Sequence, residues 1–232
     1  MADTPSKLQA QLDIAEFYGT TYLAAYGASK TKVTVVGSEA DIRFYQETSP
    51  WKLNGSKVLV SDDNDHLGQI ISGKKQEQKN VDLRIQKGRN SLFGMLGPAF
   101  AYKCLLSPSV KIHLVRTYIC PILRSGLSAF ALRQPDLEPL AIFHRKILRG
   151  ILCLSKSSSI PAIHFLLGEL PITGQIHRDI FSLFYSVWKN PQSKIYQIVK
   201  YLLETSSEKS RTWTVNLRHL SRQYNFLILI IG

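Results

Sequence analysis

The spacing of apolar residues changes at Gly73, and this change constrains the fold more than any other feature of the chain. Before Gly73, short β-branched or aromatic runs are separated by turn residues, which is typical of strands. After it, apolar residues recur every three or four positions, which is typical of amphipathic helices. We therefore expect an α+β protein, with a small hairpin-containing region followed by a mainly helical bundle.

The region before Gly73 contains one predicted helix, over residues 8 to 22, where apolar side chains follow a helical period. Asn54 and Gly55 form a dipeptide that favours a two-residue hairpin turn. Predicted strands cover Lys32 to Val36, Ile42 to Tyr45, and Lys57 to Val60.

The helices after Gly73 are predicted from caps, prolines and apolar spacing. Residues 74 to 90 form a basic helix with one narrow apolar side. Ser107 and Pro108 predict a helix start, and Pro121 is expected to kink or end that helix. Further helices are predicted to begin at Asp136, Ser159 and Thr173, with another over residues 195 to 203 and no assignment after Ser210.

Charge is divided in the same way along the chain, whose formal net charge is +12. Residues 1 to 73 carry 6 Lys and Arg against 9 Asp and Glu, whereas residues 74 to 150 carry 14 against 4. Residues 151 to 232 carry 9 against 4. A cationic surface of this size indicates an anionic partner, either nucleic acid or acidic lipid.

The N-terminus lacks the basic and apolar pattern of a signal peptide, and the cysteines are odd in number and widely spaced. We therefore expect an intracellular protein, nuclear or cytoplasmic and not secreted. The apolar end at residues 226 to 232 is shorter than the roughly 20 residues that a spanning helix needs, so no membrane partner is expected.

The stretch VSDDNDHLG, residues 60 to 68, places Asp62, Asp63, Asp65 and His66 within five positions. This group can be a divalent-metal site for phosphate chemistry or the polar end of a turn. Consecutive carboxylates on an extended strand point to opposite faces. Two-metal chemistry needs carboxylates that converge, usually from different strands. We therefore expect a turn.

Cysteine and histidine spacing does not predict a zinc site, because structural sites pair ligands two to four residues apart. We interpret the cysteines as core residues and His144 as solvated on a basic helix face. The chain also lacks a nucleophile elbow and a phosphate-binding loop. No metal site and no cofactor are therefore predicted. The unpaired positions are Cys104, His113, Cys120, His144, Cys153, His164 and His177.

Seven segments, beginning with SKTKVTVVG and DHLGQIIS, follow one another in an order that resembles the reverse transcriptase of non-LTR (LINE-type) retrotransposons. SKTKVTVVG, residues 29 to 37, resembles the lysine-bearing motif at the end of that family's palm. DHLGQIIS, residues 65 to 72, resembles its HLG or YLG hairpin, the primer grip. Gly27 and Ala28 depart from the family's Asn and Pro. The remaining segments resemble the family's thumb and the part of the chain that follows it; they are residues 84 to 89, 106 to 108, 117 to 123, 143 to 149 and 163 to 172.

The resemblance implies three regions: a palm remnant at 1 to 73, a basic thumb-like region at 74 to 190, and a tail at 191 to 232. It implies that Lys30 is the palm lysine, near the leaving pyrophosphate. The implied primer grip is His66, Leu67 and Gly68. The implied partner is an RNA–DNA template-primer duplex, contacted by Lys79, Arg84, Lys87, Arg89, Arg145, Lys146 and Arg149.

The family's catalytic aspartates lie upstream of its palm lysine, and no such motif precedes Lys30. In the parent enzyme, an RNA-directed DNA polymerase, those carboxylates hold Mg²⁺. We expect a truncated reverse transcriptase-like protein that binds nucleic acid, does not polymerise alone, and has the missing catalytic part as a further partner. Two alternatives are a helical protein-interaction module derived from a retroelement and a metal-dependent phosphodiesterase using Asp62, Asp63 and Asp65.

Overall fold

A computed structural model describes residues 2–24, 26–101 and 106–225. Cys104 and the apolar end at residues 226 to 232 lie outside the described residues. The chain divides into two compact units, Met1–Gln76 and Glu77–Gly232. Helices and short strands occur together, so the fold belongs to the α+β class. Within the described ranges, no helix combines the length and apolarity needed to cross a membrane.

The first unit contains short elements joined by tight turns. In chain order they are α1 (Pro5–Thr21), a 3₁₀ turn (Ala28–Lys30), β1 (Lys32–Val33), α2 (Glu39–Thr48), β2 (Lys52–Leu53), β3 (Ser56–Lys57), β4 (Leu59–Val60), β5 (Asp63–His66) and β6 (Gln69–Ser72).

The strands of the first unit form three separate pairs. β1 pairs in parallel with β4, whereas β2 with β3 and β5 with β6 are antiparallel hairpins. At the first hairpin turn, Asn54 and Gly55 have φ values of 50° and 73°. Two successive positive φ values are the geometry that an Asn-Gly turn favours, so this sequence prediction is confirmed.

The predicted strand over residues 42 to 45 is wrong, because these residues lie in helix α2. The Ser38 side chain accepts from the backbone N–H of Asp41 at 3.2 Å, and Asp41 Oδ2 accepts from the backbone N–H of Ser38 at 3.3 Å. This capping box satisfies two backbone donors at the helix start. It also places Ile42 and Tyr45 one turn apart on the same side of the helix; Ile42 is buried, and Tyr45 packs against the core of the first unit.

The core of the first unit is small. Trp51 is its largest buried side chain, and its indole N–H donates to the carbonyl oxygen of Pro5 at 3.0 Å. Apolar side chains of α1 remain open to solvent, including Phe17 with 72% of its surface exposed. The buried set is Val33, Trp51, Leu53 and Val58.

The second unit is helical. In chain order its elements are α3 (Gln76–Ala101), α4 (Pro108–Leu114), a π-helical turn (Val115–Ile119), α5 (Cys120–Arg124), a 3₁₀ turn (Leu127–Ala129), α6 (Gln134–Ile151), α7 (Ile160–Leu167), α8 (Ile172–Trp188), α9 (Lys194–Thr205) and α10 (Trp213–Gln223).

Ser107 caps α4 as predicted, with its hydroxyl accepting from the backbone N–H of Val110 at 3.4 Å. Pro121 does not end the helical path, which continues to Arg124. A proline removes one backbone donor from a helix. The preceding π-helical turn adapts the hydrogen bonding, because the N–H of Cys120 donates to the carbonyl of Val115, five residues earlier.

The start of α6 differs from the prediction by a few residues. Asp136 is not the N-cap; it lies inside the first turn, and the backbone N–H of Arg133 donates to its Oδ2 at 2.9 Å. The helices predicted from Ser159 and Thr173 are confirmed as α7 and α8, and the helix over residues 195 to 203 as α9. Helix α10 was not predicted, because its buried positions are interrupted by polar ones.

Candidate nucleic-acid interface

Two clefts in the second unit share the side chain of Lys146. One has a volume of about 330 Å³ and is lined by Arg89, Leu92, Phe93, Gly97, Phe143, Lys146 and Ile147. The other has a volume of about 550 Å³ and is lined by Ile142, Arg145, Lys146, Arg149, Gly150, Leu154, Lys156 and Ile160. We define the basic face as Arg89, Arg145, Lys146, Arg149 and Lys156. Among the described residues that line these clefts, none is Asp or Glu.

Helix α6 positions three of these cations because its apolar residues bury the opposite side. Leu140 and Leu148 have no exposed surface, and they anchor the helix in the core of the second unit. Arg145 and Arg149 are one turn apart, which places both on the side that faces the clefts. The rigid helix therefore presents these charges at a fixed spacing.

The two arginines of α6 are held by neighbouring oxygens. Arg145 forms an ion pair with Glu138 and donates through Nε to the carbonyl of Ala141 at 3.1 Å. Arg149 Nη2 donates to the carbonyl of Ser158 at 3.4 Å, whereas its Nε is buried without a hydrogen-bond acceptor in the described residues. Both guanidinium groups are therefore partly engaged by the protein itself, which fixes their positions on the basic face.

The two lysines of the basic face are exposed. Neither Lys146 nor Lys156 forms an ion pair with another described residue. Their charges are therefore free to neutralise an anionic ligand. Because exposed ammonium groups release counterions when they contact phosphates, these lysines should contribute most to salt-dependent binding.

Aromatic rings lie beside the cations at one end of the basic face. The guanidinium carbon of Arg89 lies 5.9 Å from the centroid of the Phe143 ring, within the range of a cation–π contact. Phe93 lines the same cleft and is 66% exposed. An exposed ring next to cations that contact phosphates can stack on the face of any nucleic-acid base. Such stacking does not depend strongly on base sequence.

The structure brings four of the seven predicted nucleic-acid-binding residues together: Arg89, Arg145, Lys146 and Arg149. Lys87 is exposed but lies about 200° around α3 from Arg89, which places it on a different side of the helix. Lys79 is half-buried and interacts with other groups of the protein. Lys156 was not predicted, since it lies in a Ser-rich loop with no periodic signal.

Arg84 is a correction to the prediction, because it is only 5% exposed. Val81, Arg84, Gly88 and Leu92 are all buried and follow a helical spacing, so Arg84 lies on the packed side of α3. Burial lowers the pKa of its guanidinium. Arg84 is therefore not part of the basic face.

The predicted palm and grip residues lie in the first unit. Lys30 is exposed at the end of the 3₁₀ turn. His66 ends β5, and Leu67 and Gly68 form the turn to β6, with φ values of 50° and 75°. The predicted turn is confirmed, and Leu67 is 90% exposed at its tip. The role of this hairpin as a grip stays a prediction.

The acidic stretch before the turn is part of the same hairpin. Gln46 Nε2 donates to Asp62 Oδ1 at 2.7 Å, and Asp63 and Asp65 lie in β5. Within the described ranges, one group of potential ligand side chains converges closely enough to hold a metal ion, and it contains none of these aspartates. That group is Cys120, His144 and Glu169.

His144 is a second correction, because only 1% of its surface is exposed, in contrast to the predicted solvated position. It lies one turn after Leu140 and one turn before Leu148, both of which are fully buried. The sequence signal was therefore present in the spacing. The spacing of cysteines and histidines could not reveal the cluster, because its members come from α5, from α6 and from the segment between α7 and α8.

Compared with protein families, with curated proteins and with solved structures, the chain matches none of them.

Proposed function

We propose that this chain is a reverse transcriptase-like protein, similar to those of non-LTR retrotransposons, whose second unit binds the backbone of nucleic acid. The observation that carries the proposal is the basic face, where cations from α3, α6 and the loop after α6 meet beside the exposed ring of Phe93 and the half-buried ring of Phe143. Arginine and lysine side chains on a rigid surface neutralise phosphates without reading sequence.

The hairpin of the first unit supports the family part of the proposal. Its turn at Leu67 and Gly68 is exposed, as expected of an element that contacts a primer strand. The carboxylates that hold Mg²⁺ in the parent family have no counterpart before Lys30 in this sequence. We therefore propose binding of an RNA–DNA template-primer duplex without polymerisation by this chain alone.

The binding test is a titration of a fluorescein-labelled RNA–DNA hybrid, measured by anisotropy at several salt concentrations. If roughly four phosphates are contacted, the logarithm of affinity should fall with the logarithm of salt at a slope of about −3 to −4. Duplexes of different sequence should bind equally. A slope near zero would contradict phosphate binding.

A charge-reversal pair locates the binding surface. Lys146→Glu with Lys156→Glu should weaken binding at least tenfold, because the two free ammonium groups of the basic face are replaced by carboxylates. The matched control, Lys194→Glu with Lys209→Glu, changes the net charge equally at two exposed positions outside the clefts. Equal losses in both variants would show that total charge, and not the basic face, determines affinity.

Polymerisation is tested separately by primer extension on an RNA template with Mg²⁺. We expect no extension by the chain alone. Extension that is abolished by Asp62→Ala with Asp63→Ala would overturn this part of the proposal and assign catalysis to the acidic stretch.

An interaction module remains a second candidate, favoured by an apolar stripe on α9. Ile195, Ile198 and Tyr201 are 62%, 57% and 64% exposed, and their spacing places them on one side of the helix. A protein partner bound there would be retained after nuclease treatment and at moderate salt. Ile198→Glu should release it without affecting binding of the RNA–DNA hybrid.

A further inference from the structure

Three chemically reactive side chains meet in the interior of the second unit. Cys120 is at the start of α5, His144 is in α6, and Glu169 follows the C-terminal glycine of α7. They are 2%, 1% and 8% exposed. Cys120 Sγ lies 3.9 Å from His144 Nε2 and 4.0 Å from Glu169 Oε1. The three potential ligand atoms all lie within 4.8 Å of one another.

These separations are close to those of a tetrahedral zinc site. Zinc bonds of roughly 2.0 to 2.3 Å place neighbouring ligand atoms roughly 3.3 to 3.6 Å apart. The distances of 3.9 and 4.0 Å from Cys120 Sγ would have to shorten by a few tenths of an ångström. The separation between the ligand atoms of His144 and Glu169, which is within 4.8 Å, would have to shorten by up to about 1.5 Å. Side-chain rotation of the histidine and the glutamate would bring these two atoms together on binding.

Direct contact between the thiol and the imidazole does not explain why both are buried. A thiol is a weak donor, and 3.9 Å is near the limit for a hydrogen bond to sulfur. Burial raises the pKa of the Cys120 thiol to about 12 and lowers the pKa of His144 to about 4, so both groups are uncharged in the metal-free protein. A buried polar pair joined by so weak a contact is costly unless a further partner satisfies it.

The carboxylate is held by groups that do not occupy all of its acceptor sites. Arg116 Nε donates to Glu169 Oε2 at 2.5 Å, and Gln175 Nε2 donates to Oε1 at 2.7 Å. His164 Nδ1 lies 2.8 Å from the backbone oxygen of Glu169. Such contacts around a ligand fix its orientation and strengthen metal binding. A carboxylate oxygen has two acceptor positions, and the second position of Oε1 takes only the weak hydrogen bond of the Cys120 thiol at 4.0 Å, which is lost when the thiol loses its proton to bind a metal.

One side of the cluster opens into a cleft of about 280 Å³. Cys120, Glu169 and Gln175 line it, together with Arg116, Arg124 and Arg178. The Nε of Arg124 is buried and has no hydrogen-bond acceptor among the described residues. Water or a small anion can therefore approach the cluster from this side, where a nearby guanidinium would favour negative charge.

We propose that Cys120 Sγ, His144 Nε2 and Glu169 Oε1 bind one Zn²⁺ ion, with the fourth position filled by water from the cleft. The sulfur, nitrogen and oxygen ligands suit zinc, whereas Mg²⁺ and Ca²⁺ prefer oxygen alone. On binding, the thiol proton leaves to solvent and the thiolate forms the Zn–S bond. The charges of the thiolate and the carboxylate then balance that of the ion, and the guanidinium of Arg116 remains beside Glu169 with its side chain partly exposed. The proposal is independent of nucleic-acid binding.

The direct test uses the full chain, free of any affinity tag and stripped with a chelator. Titration with Zn²⁺ should give one bound ion per chain and a higher melting temperature, because the ion binds the folded state. Titration with Co²⁺ should give a sulfur-to-cobalt charge-transfer band and the intense visible bands of a four-coordinate ion. Absence of one-to-one binding, or a Co²⁺ spectrum without the sulfur band, would overturn the proposal.

Variants assign the ligands. Cys120→Ser, His144→Gln and Glu169→Gln should each remove the zinc-dependent rise in melting temperature. The matched controls are Cys153→Ser and His113→Gln, which alter an exposed cysteine and an exposed histidine. Gln175→Leu should weaken zinc binding roughly 10- to 100-fold by freeing the carboxylate. Binding that survives all three ligand changes, or is lost equally in the controls, would contradict the site.

A ligand variant that fails to fold does not prevent a decision, because the alkylation rate of Cys120 in the unmodified chain can be measured in moderate denaturant, where transient opening exposes this buried thiol. Of the two cysteines among the described residues, zinc should protect Cys120 from alkylation and leave Cys153 reactive. Equal labelling of Cys120 with and without Zn²⁺, followed by mass spectrometry of its peptide, would overturn the proposal.

Discussion

The two compact units differ in how their folds are stabilised. The first has strands of two to four residues and a core of four buried apolar side chains. The second has long helices around a much larger core that includes Leu123, Leu140, Leu148, Ile176 and Ile180, each with no exposed surface. Because stabilisation by burial is roughly proportional to the apolar area removed from water, the loss of one side chain matters more in the smaller core.

The largest effect is expected from Trp51→Ala in the first unit. Removing a buried Trp side chain typically costs about 3 to 5 kcal/mol, and this substitution also removes the hydrogen bond to Pro5. We expect the first unit to unfold while the helical signal of the second remains. Limited proteolysis with mass spectrometry should show new cleavages before residue 76 only. Cleavage throughout the chain would show that the units are not independently stable.

The corresponding change in the second unit is Leu148→Ala. It should lower the free energy of unfolding by about 2 to 5 kcal/mol, since it removes a fully buried side chain. We expect the second unit to stay folded at about 25 °C and to have a lower melting temperature. Circular dichroism at about 222 nm, which reports helix content, measures that temperature. Ile142→Ala, at an exposed position of the same helix, is the control. A collapse of helix content would contradict the comparison.

Helix caps provide a matched pair of smaller effects. Ser38→Ala in the first unit and Ser107→Ala in the second each remove a side-chain acceptor from a helix start. Each should cost about 0.5 to 2 kcal/mol. The Ser38 change should have the greater effect, because it also breaks the capping box with Asp41. Denaturant unfolding of both variants measures the difference, and equal losses would contradict it.

The smallest effect concerns pH and the second unit. Burial lowers the pKa of His177 below its usual value of 6.5, and its Nδ1 lies 2.9 Å from the hydroxyl of Tyr224. As the pH falls through 6.5, the unfolded chain takes up a proton at this residue before the folded chain does, so stability falls. Between a pH of about 7.5 and a pH of about 5.5, the free energy of unfolding should therefore decrease less in His177→Gln than in the unmodified chain. An unchanged pH dependence would exclude this cause.

Signals between close neighbours in the sequence predicted much of the fold. The Asn54-Gly55 turn, the Ser107 cap and the helix that ends before Gly168 all depend on residues within a few positions of one another. The strand predicted over residues 42 to 45 is wrong, because the capping box at Ser38 begins a helix that includes this β-branched and aromatic run. Both signals were local, and the backbone hydrogen bonds of the cap favoured the helix.

The candidate sites were less predictable, because charge alone does not reveal which side of a helix is packed. Arg89 and Arg84 are both basic residues of α3, yet one lines a cleft and the other is buried. Their difference depends on the helices that pack against α3. His144 could have been placed in the core from its spacing relative to Leu140 and Leu148.

The amino-acid sequence alone determined the α+β class, the excess of positive charge after residue 73 and most helix starts, because these depend on composition and on neighbours along the chain. Only the tertiary structure brought Arg89 beside Phe143 and placed Cys120 against His144 and Glu169, which are 24 and 49 residues away. Helix packing joins side chains that share no local pattern, and it decides which charged and reactive groups meet.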